Sequence, residues 1–323
     1  RDLTGTILRG ADFTDKDLTG TLLAGADLAD ANLTGFDFSG RDLTGTILRG
    51  VDLSDKDLTG TLLIGADITD ADITGTILTG VDLTGVNLAN VDLSDKDLTG
   101  TVLTGADLTD ANLTGVDMSG KDLTGTILVG VDLSNKDLTG TTLTGADLTD
   151  TNLTGVDFSG RDLTGTILRG ADLTGTNLTG IDLSGWDLTG TILRGADLTD
   201  TDLTNANLSF ADLAGADLTD TDLTNAKVYG IQLPYANLSG QVLSNMDFSY
   251  ANLVGANISG ADLTYGKFNI ANLKGVELQN ADLTGASFVQ VDFTKIKNKS
   301  LAGADLFDSS FAHSNLSGVD LTG

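Results

Sequence analysis

The sequence predicts an all-β solenoid, and three observations lead to this fold class. A bulky apolar residue, Leu or Phe in most cases, recurs at every fifth position from Leu3 to Phe293 and again from Leu301 to Leu321. A period of five matches neither an α-helix nor a flat strand. The 41 glycines allow a corner in every pentad, and Thr, Val and Ile favour extended backbone between the corners. A chain that turns once per pentad therefore stacks short β-bridges into a solenoid.

The recurring apolar residue is the centre of each pentad, and we expect the centres to line the inside of the solenoid. A small or β-branched residue stands two positions before most centres, Asp or Asn one position before, and Thr or Ser one position after. The centre is thus the main bulky apolar position of the pentad. The predicted core ladder begins with Leu3, Leu8, Phe13, Leu18, Leu23 and Leu28.

This pattern, A-(D/N)-L-x-x, resembles the pentapeptide-repeat family over essentially all 323 residues. The resemblance implies a right-handed quadrilateral β-helix with four pentads, or 20 residues, in each coil. The sequence supports this coil length independently, because RDLTGTILRG recurs at Arg1, Arg41 and Arg161, so that the larger repeat is 40 residues, or two coils. We predict about 16 coils and, at about 4.8 Å per coil, a rod roughly 75–80 Å long.

The repeat also predicts the domain organisation. A chain of this length would normally suggest two globular domains, but a tandem repeat favours a single elongated β-helix over residues 1–323. Residues 1–200 carry the highly regular 40-residue super-repeat, and residues 201–323 carry degenerate repeats. The frame slips by three residues at 296–298.

The residues that directly precede the centres fall on four faces of the solenoid. The first to fourth faces start with residues 2, 7, 12 and 17, and each continues with every twentieth residue. Acidic residues alternate with aliphatic residues on the first two faces, whereas the fourth face is nearly solid Asp. Alternation separates like charges that would destabilise a ladder. Outward rows of aliphatic residues can mark a lateral interface, although β-propensity alone would also place them there. The candidate lateral interface comprises Ile7, Leu22, Ile47, Leu62, Val102, Ile127 and Ile167.

The net charge of −28 comes almost entirely from Asp. A short Asp side chain before the centre can bond backbone at a corner while it points to solvent. The acidity either keeps the rod soluble or attracts basic partners, and it argues against direct binding of nucleic acid. Lys and Arg also occur two positions before a centre, which we call the small-residue slot. Their side chains should turn outward and meet flanking acids, as Lys16 would between Asp15 and Asp17. Acids of a neighbouring rod are the alternative partners.

The repeat becomes irregular from about Lys227, and all four tyrosines of the chain lie in this part. Polar and aromatic surface of this kind is typical of contact sites, so we predict a partner surface here. Sequence drift in an older part of the repeat is the alternative explanation. The candidate partner surface comprises Tyr229, Tyr235, Tyr250 and Tyr265.

Catalytic chemistry has few candidate residues in this chain. His313 is the only His and there is no Cys, which excludes His-based catalytic dyads, thiol chemistry and disulfides. We expect a non-enzymatic protein with no cofactor and no metal site. Calcium binding by Asp pairs such as Asp55 with Asp57, Asp95 with Asp97, or Asp15 with Asp17 stays open. No apolar run reaches 18 residues, so no transmembrane helix is expected.

Two classes of function remain. The first is a stiff acidic rod that assembles end to end or laterally into a filament or surface layer, because Gly323 completes a pentad and a second Arg1 could follow in frame. This reading favours an extracellular or cell-surface location over a cytoplasmic one, although the compartment and the partner are not fixed. The second is a protein-binding module. The family resemblance includes DNA mimics that bind DNA gyrase, although such members usually carry a C-terminal helical dimerisation segment that is not seen here.

Overall fold

The computed structural model describes residues 1–14 and 16–322, and within them the backbone forms a β-helix of isolated parallel bridges. Bridged residues lie 20 positions apart, as in Asp2 with Leu22 and Asp42 with Leu62, so each coil contains four pentads as predicted. Throughout the described ranges no α-helix forms and no strand extends beyond a single bridge. The number of coils and the length of the rod stay predictions.

The chain divides into two compact units, which have the same pentad geometry. The first unit comprises Arg1–Asn152 and Asp162–Ile167, and the second comprises Leu153–Arg161 and Leu168–Gly323. Gly323 itself lies outside the described residues, and with it the predicted junction between Gly323 and a second Arg1. The proposal of one elongated domain over residues 1–323 stays a prediction.

Each pentad turns through the same corner. The N–H three residues after a centre donates to the carbonyl of that centre, as from Thr21 to Leu18 at 2.9 Å. The second residue after the centre has a positive φ, for example +74° at Gly60 and +55° at Asp55. Gly adopts this left-handed conformation without steric cost, and Asn and Asp tolerate it better than other residues. This explains why Gly, Asp and Asn dominate that position.

The Asp before the centre holds the corner together. The carboxylate Oδ1 of Asp122 accepts from the backbone N–H of Thr124 at 3.0 Å and from its hydroxyl at 2.6 Å. Asp42 accepts in the same way from the N–H of Thr44 at 3.0 Å. The predicted bond from Asp to backbone at a corner is therefore confirmed, and it explains why Thr or Ser follows the centre.

The centres form the core. Leu48, Leu53 and Leu83 have no measurable exposure. The predicted core ladder is fully buried from Leu18 onward, through Leu23 and Leu28. Its first three members, Leu3, Leu8 and Phe13, are only half-buried, because the first coil is covered by a neighbour on one side alone.

Donors in the small-residue slot bond to the backbone of the preceding coil. The buried Thr61 hydroxyl donates to the Phe38 carbonyl at 2.8 Å, and similar bonds span 23 residues at several other threonines. Arg41 Nη1 donates to the Leu18 carbonyl at 2.8 Å, and Lys121 Nζ donates to the Leu98 carbonyl at 2.5 Å. These two slot cations donate to carbonyls rather than to carboxylates, while their charges help to lower the pKa of Asp37, beside Arg41, and of Asp117, beside Lys121. Asp15, one of the two acids expected to flank Lys16, lies outside the described residues.

Two short 3-10 helices, Phe293–Lys295 and Lys297–Lys299, accommodate the frame slip. The spacing between bridged residues rises here from 20 to 23, as in Asp282 with Asp305, and then returns to 20. The three extra residues are therefore absorbed at one corner, and the ladders continue on the same faces.

Candidate protein-interaction surfaces

The first and second faces of the first unit meet at a corner and together form a checkerboard of aliphatic and acidic residues. Leu62 on the first face is bridged to Asp42 and Asp82, and Ile127 on the second face is bridged to Asp107 and Asp147. Aliphatic positions therefore alternate with acids along each ladder. We call this surface the checkerboard ridge; its aliphatic members are Ile7, Leu22, Ile47, Leu62, Ile64, Val102, Ile127 and Ile167.

Most aliphatic members of the ridge are exposed. Of the predicted candidate lateral interface, all are exposed except Ile47, which is half-buried. Ile64, which the sequence reasoning missed, is exposed at the corner between the two faces. Its signal was an Ile directly after a centre, where Thr or Ser usually stands. Whether this ridge is an interface stays a prediction.

Arginines that follow a centre partly neutralise the acids of the second face. Arg9 Nε lies 2.5 Å from an oxygen of Asp27, and Arg49 Nη2 lies 2.7 Å from an oxygen of Asp67. Burial would raise the pKa of Asp67, but the hydrogen bonds from Thr69 and Arg49 hold it below its usual value. These carboxylates stay charged at neutral pH. The ridge is consequently less negative than its sequence suggests, yet it remains acidic.

The fourth face of the first unit concentrates negative charge. Asp57 is bridged to Ile77, whereas Asp17, Asp37 and Asp97 form no bridge among the described residues. Hydrogen bonds from the hydroxyl and the N–H of Thr59 lower the pKa of Asp57, against the opposing effect of the Asp37 charge. This row of ionised carboxylates is suited to a basic partner.

Aromatic side chains form a second candidate surface, in the second unit. The rings of Phe210 and Tyr229 lie 5.4 Å apart in an edge-to-face arrangement, and those of Tyr229 and Tyr250 lie 5.3 Å apart. Ile270 occupies the same corner one coil after Tyr250, and all four side chains are exposed. We call these four residues the aromatic patch.

The backbone of the aromatic patch is strained. Phe210, Tyr250 and Ile270 have φ of +61°, +62° and +62°, where bulky side chains are rare and cost about 1–2 kcal/mol each. A Cβ on Gly230 would lie 2.6 Å from the Phe210 ring, so the ring lies against the glycine of the next coil. Bulky strained residues that remain exposed are grounds for a functional hypothesis.

A shallow groove of about 360 Å³ borders the aromatic patch. Lys227, Tyr229, Met246 and Asp247 are among its lining residues. Lys267 lies on the same face, with Nζ 4.0 Å from an oxygen of Asp247. The second face of this unit therefore presents cations beside aromatic rings.

The structure places the four residues of the candidate partner surface at three different corners. Tyr229 and Tyr250 lie in the aromatic patch, whereas Tyr235 packs over Gly255 and Tyr265 over Gly285, at two other corners. The sequence analysis did not identify Phe210. It could have been found as a bulky residue two positions after a centre, where Gly, Asp or Asn usually stands. The role of the four tyrosines in binding stays a prediction.

Of the Asp pairs considered for calcium, the pair of Asp15 and Asp17 lies in part outside the described residues, because Asp15 is not described. In the pair of Asp55 and Asp57, the Asp55 carboxylate lies over Gly75, whereas that of Asp57 accepts from the N–H of Thr59. Among residues 1–14 and 16–322, no cluster of three or more acidic or His side chains is arranged to hold a metal ion.

None of the described segments is a helix with the length and apolar character needed to cross a bilayer.

The comparisons with protein families give one match. A family model described as pentapeptide repeats (8 copies) matches nearly the whole chain. The matched segments are residues 2–40, 42–80, 82–120, 122–155, 151–190, 166–205, 183–220, 201–240, 229–264, 271–295 and 294–323. No curated protein sequence matches this chain significantly.

Among solved structures, the chain is similar to QnrB1, a plasmid-mediated fluoroquinolone resistance protein, with 22% identity over 55% of this chain and 87% of that one, at a TM-score of 0.41. It is also similar to HetL, a pentapeptide repeat protein of Nostoc sp. strain PCC 7120 involved in heterocyst differentiation regulation. That alignment has 24% identity over 97% of this chain and 89% of HetL, at a TM-score of 0.13. A pentapeptide repeat protein of the Arabidopsis thaliana thylakoid lumen shares 29% identity over 35% of this chain and 69% of its own, at a TM-score of 0.19. Because these TM-scores are below 0.5, the fold assignment depends on the family match and on the bridges.

Proposed function

The chain belongs to the pentapeptide-repeat family, whose members fold as right-handed β-helices, and from this premise we propose that it is a non-enzymatic scaffold that associates with copies of itself. The observation that carries the proposal is the checkerboard ridge. Repeated association of this kind builds a filament or a surface layer, which suits an extracellular or cell-surface location.

The ridge supports this proposal because its aliphatic side chains are exposed in a regular row. Scattered exposed aliphatic residues are normal in proteins, whereas an organised row marks contact surface. The periodicity of the ridge follows the coil, so a partner with the same repeat makes equivalent contacts at successive coils. A second copy of this chain has that repeat.

Sedimentation of the full chain over a range of concentrations tests the proposal. The ridge variant replaces Leu22, Leu62 and Val102 with Thr, which already stands at the equivalent first-face position 142 and keeps the β-propensity of the ladder. Ile77→Thr on the fourth face is the matched control, because Ile77 and Leu62 are both 48% exposed.

We expect the wild type and the Ile77→Thr control to form species larger than a monomer that grow with concentration, and the ridge variant to shift toward the monomer. Electron microscopy of the wild type should show elongated assemblies. A wild type that stays monomeric at every concentration, or a ridge variant that associates as the wild type does, contradicts the proposal.

The acidic row on the fourth face favours a second candidate function, the binding of a basic protein surface such as that of DNA gyrase. Its charges sit one coil apart, and attraction of this kind weakens with salt. A supercoiling assay tests the candidate with Asp97→Asn and Asp117→Asn, since Asn keeps the corner bond, as Asn112 does with the N–H of Thr114 at 3.0 Å. Inhibition by the wild type that the variant loses supports this function, and no effect of the wild type on gyrase refutes it.

A further inference from the structure

We propose that the aromatic patch of one copy docks on the checkerboard ridge of a second copy of this chain. The inference rests on the proposed self-association and names the surface that the ridge meets. It follows from the distribution of charge, the chemistry of the two surfaces and their common repeat.

The charge of the chain is strongly asymmetric along the sequence. Residues 1–226 contain 38 Asp against 12 Lys and Arg, a net charge of −26. Residues 227–299 contain six Lys against four Asp and one Glu, a net charge of +1. Lys227, Tyr229, Tyr250 and Ile270 therefore belong to the least acidic part of the chain, whereas the ridge and Phe210 lie in its acidic part. Such asymmetry favours contact between unlike parts of two copies.

Arg9 and Arg49 pair with Asp27 and Asp67, but a ridge that packed on another ridge would bury the remaining ridge acids against acids or aliphatic side chains. Desolvated carboxylates without cationic partners are strongly unfavourable. Asp107 and Asp147, which flank Ile127, would be desolvated in such a contact. The ridge is therefore better matched by a surface that offers apolar groups and cations together.

The aromatic patch and its border provide both. Phe210, Tyr229 and Tyr250 present exposed rings of the type that anchors protein interfaces. Lys227 is exposed and has no carboxylate within ion-pair distance in the described part of the chain. The nearest carboxylate oxygen to Lys267 Nζ is 4.0 Å away, so both ammonium groups can reach acids of a second copy.

The two surfaces also share their spacing. Residues of each ladder recur every 20 positions, so both repeat at the same rise of about 4.8 Å per coil. Phe210, Tyr229, Tyr250 and Ile270 lie at one corner in four successive coils. A contact that places a ring beside an aliphatic residue and a lysine beside an acid at one coil can be repeated along the ladders. The contact joins two different surfaces, so a copy bound through its patch still offers its ridge to another copy.

The test uses full-length variants in sedimentation. The patch variant carries Phe210→Asn and Tyr250→Asn, because Asn is native at equivalent corners, with φ of +59° at Asn205 and +57° at Asn225. Tyr235→Asn is the matched control, since Tyr235 has φ of +63° and 78% exposure but lies at another corner. We expect the patch variant to self-associate about 30-fold more weakly than the wild type, as loss of an anchoring aromatic predicts. The control should behave as the wild type.

Mixing the variants separates the possible contacts. The patch variant keeps its ridge and the ridge variant keeps its patch, so each alone should be monomeric and an equimolar mixture should form a one-to-one dimer. A dimer in the mixture supports the contact. If the wild type associates but the patch variant does so equally well, or the mixture stays monomeric, this inference is wrong while the proposed self-association stands. A monomeric wild type overturns both.

Discussion

Four phenylalanines stack in one column of the core beneath the second face, and this column allows a sharp test of how the solenoid is stabilised. Phe268 lies between Phe248 and Phe288, with ring centroids 5.1 Å and 4.9 Å away and planes 8° and 13° from parallel. Phe311 continues the stack from Phe288 at 5.2 Å. Phe268 is 1% exposed, so Phe268→Ala removes a fully buried ring together with two stacking contacts.

Phe158→Ala is the matched control. Phe158 is also a buried centre, with 0% exposure, but no aromatic ring contacts it among the described residues. Loss of a buried phenyl ring costs about 3–5 kcal/mol in either variant. Each ring pair adds about 0.5–1.5 kcal/mol beyond burial, so Phe268→Ala should cost about 1–3 kcal/mol more than Phe158→Ala.

Native-state hydrogen exchange measures these costs locally, which suits a solenoid whose coils contact only their neighbours. In the Phe268→Ala variant the reporter is the amide of residue 268 itself, which donates to the Ser287 carbonyl at 2.7 Å. In the Phe158→Ala variant it is the amide of residue 158 itself, which donates to the Asn177 carbonyl at 2.9 Å. Equal losses of protection in the two variants would refute the argument, because they would mean that stacked rings add nothing to burial.

Three further predictions concern the corners. Thermal stability should decline as the pH falls below 3.8, because hydrogen bonds from the hydroxyl and N–H of Thr44 lower the pKa of Asp42 from that value, as at many other corners. The carboxylates contribute their full stabilisation when the pH is above 3.8, their pKa in the unfolded chain, and lose it as the pH falls through their lower pKa values in the folded protein. An unchanged melting temperature at pH 3 would contradict this prediction. Gly255→Ala should destabilise the protein more than Gly240→Ala, although both glycines have φ of +69°. Only at Gly255 would the new Cβ lie 2.5 Å from the Tyr235 ring. Equal losses of unfolding free energy in denaturant would exclude this clash. Thr61→Val should cost about 1 kcal/mol by the same measurement, since the Phe38 carbonyl loses a donor; no loss would show that this bond adds nothing to stability.

The sequence predicted the checkerboard ridge and the aromatic patch only in part. The aliphatic row of the ridge was predicted, because the alternation with acids is visible at a period of 40 residues. The tyrosines were grouped by their proximity in sequence, yet Tyr235 and Tyr265 lie at other corners than Tyr229 and Tyr250. Phe210 joins the latter pair although it lies 19 residues from Tyr229, since residues one coil apart are neighbours.

The amino-acid sequence by itself determined the period, the buried centres, the 20-residue coil and the bond that Asp makes at the corners where it precedes the centre. The period, the buried centres and the Asp bond depend on interactions within a pentad, so one pattern specifies them, whereas the coil length follows from the recurrence of RDLTGTILRG at multiples of 40 residues. Only the tertiary structure decided which corner residues of neighbouring coils meet, and that Thr61, Arg41 and Lys121 donate to carbonyls of the coil before. Those contacts depend on how side chains of different pentads are oriented when coils stack, and a five-residue pattern does not encode that orientation.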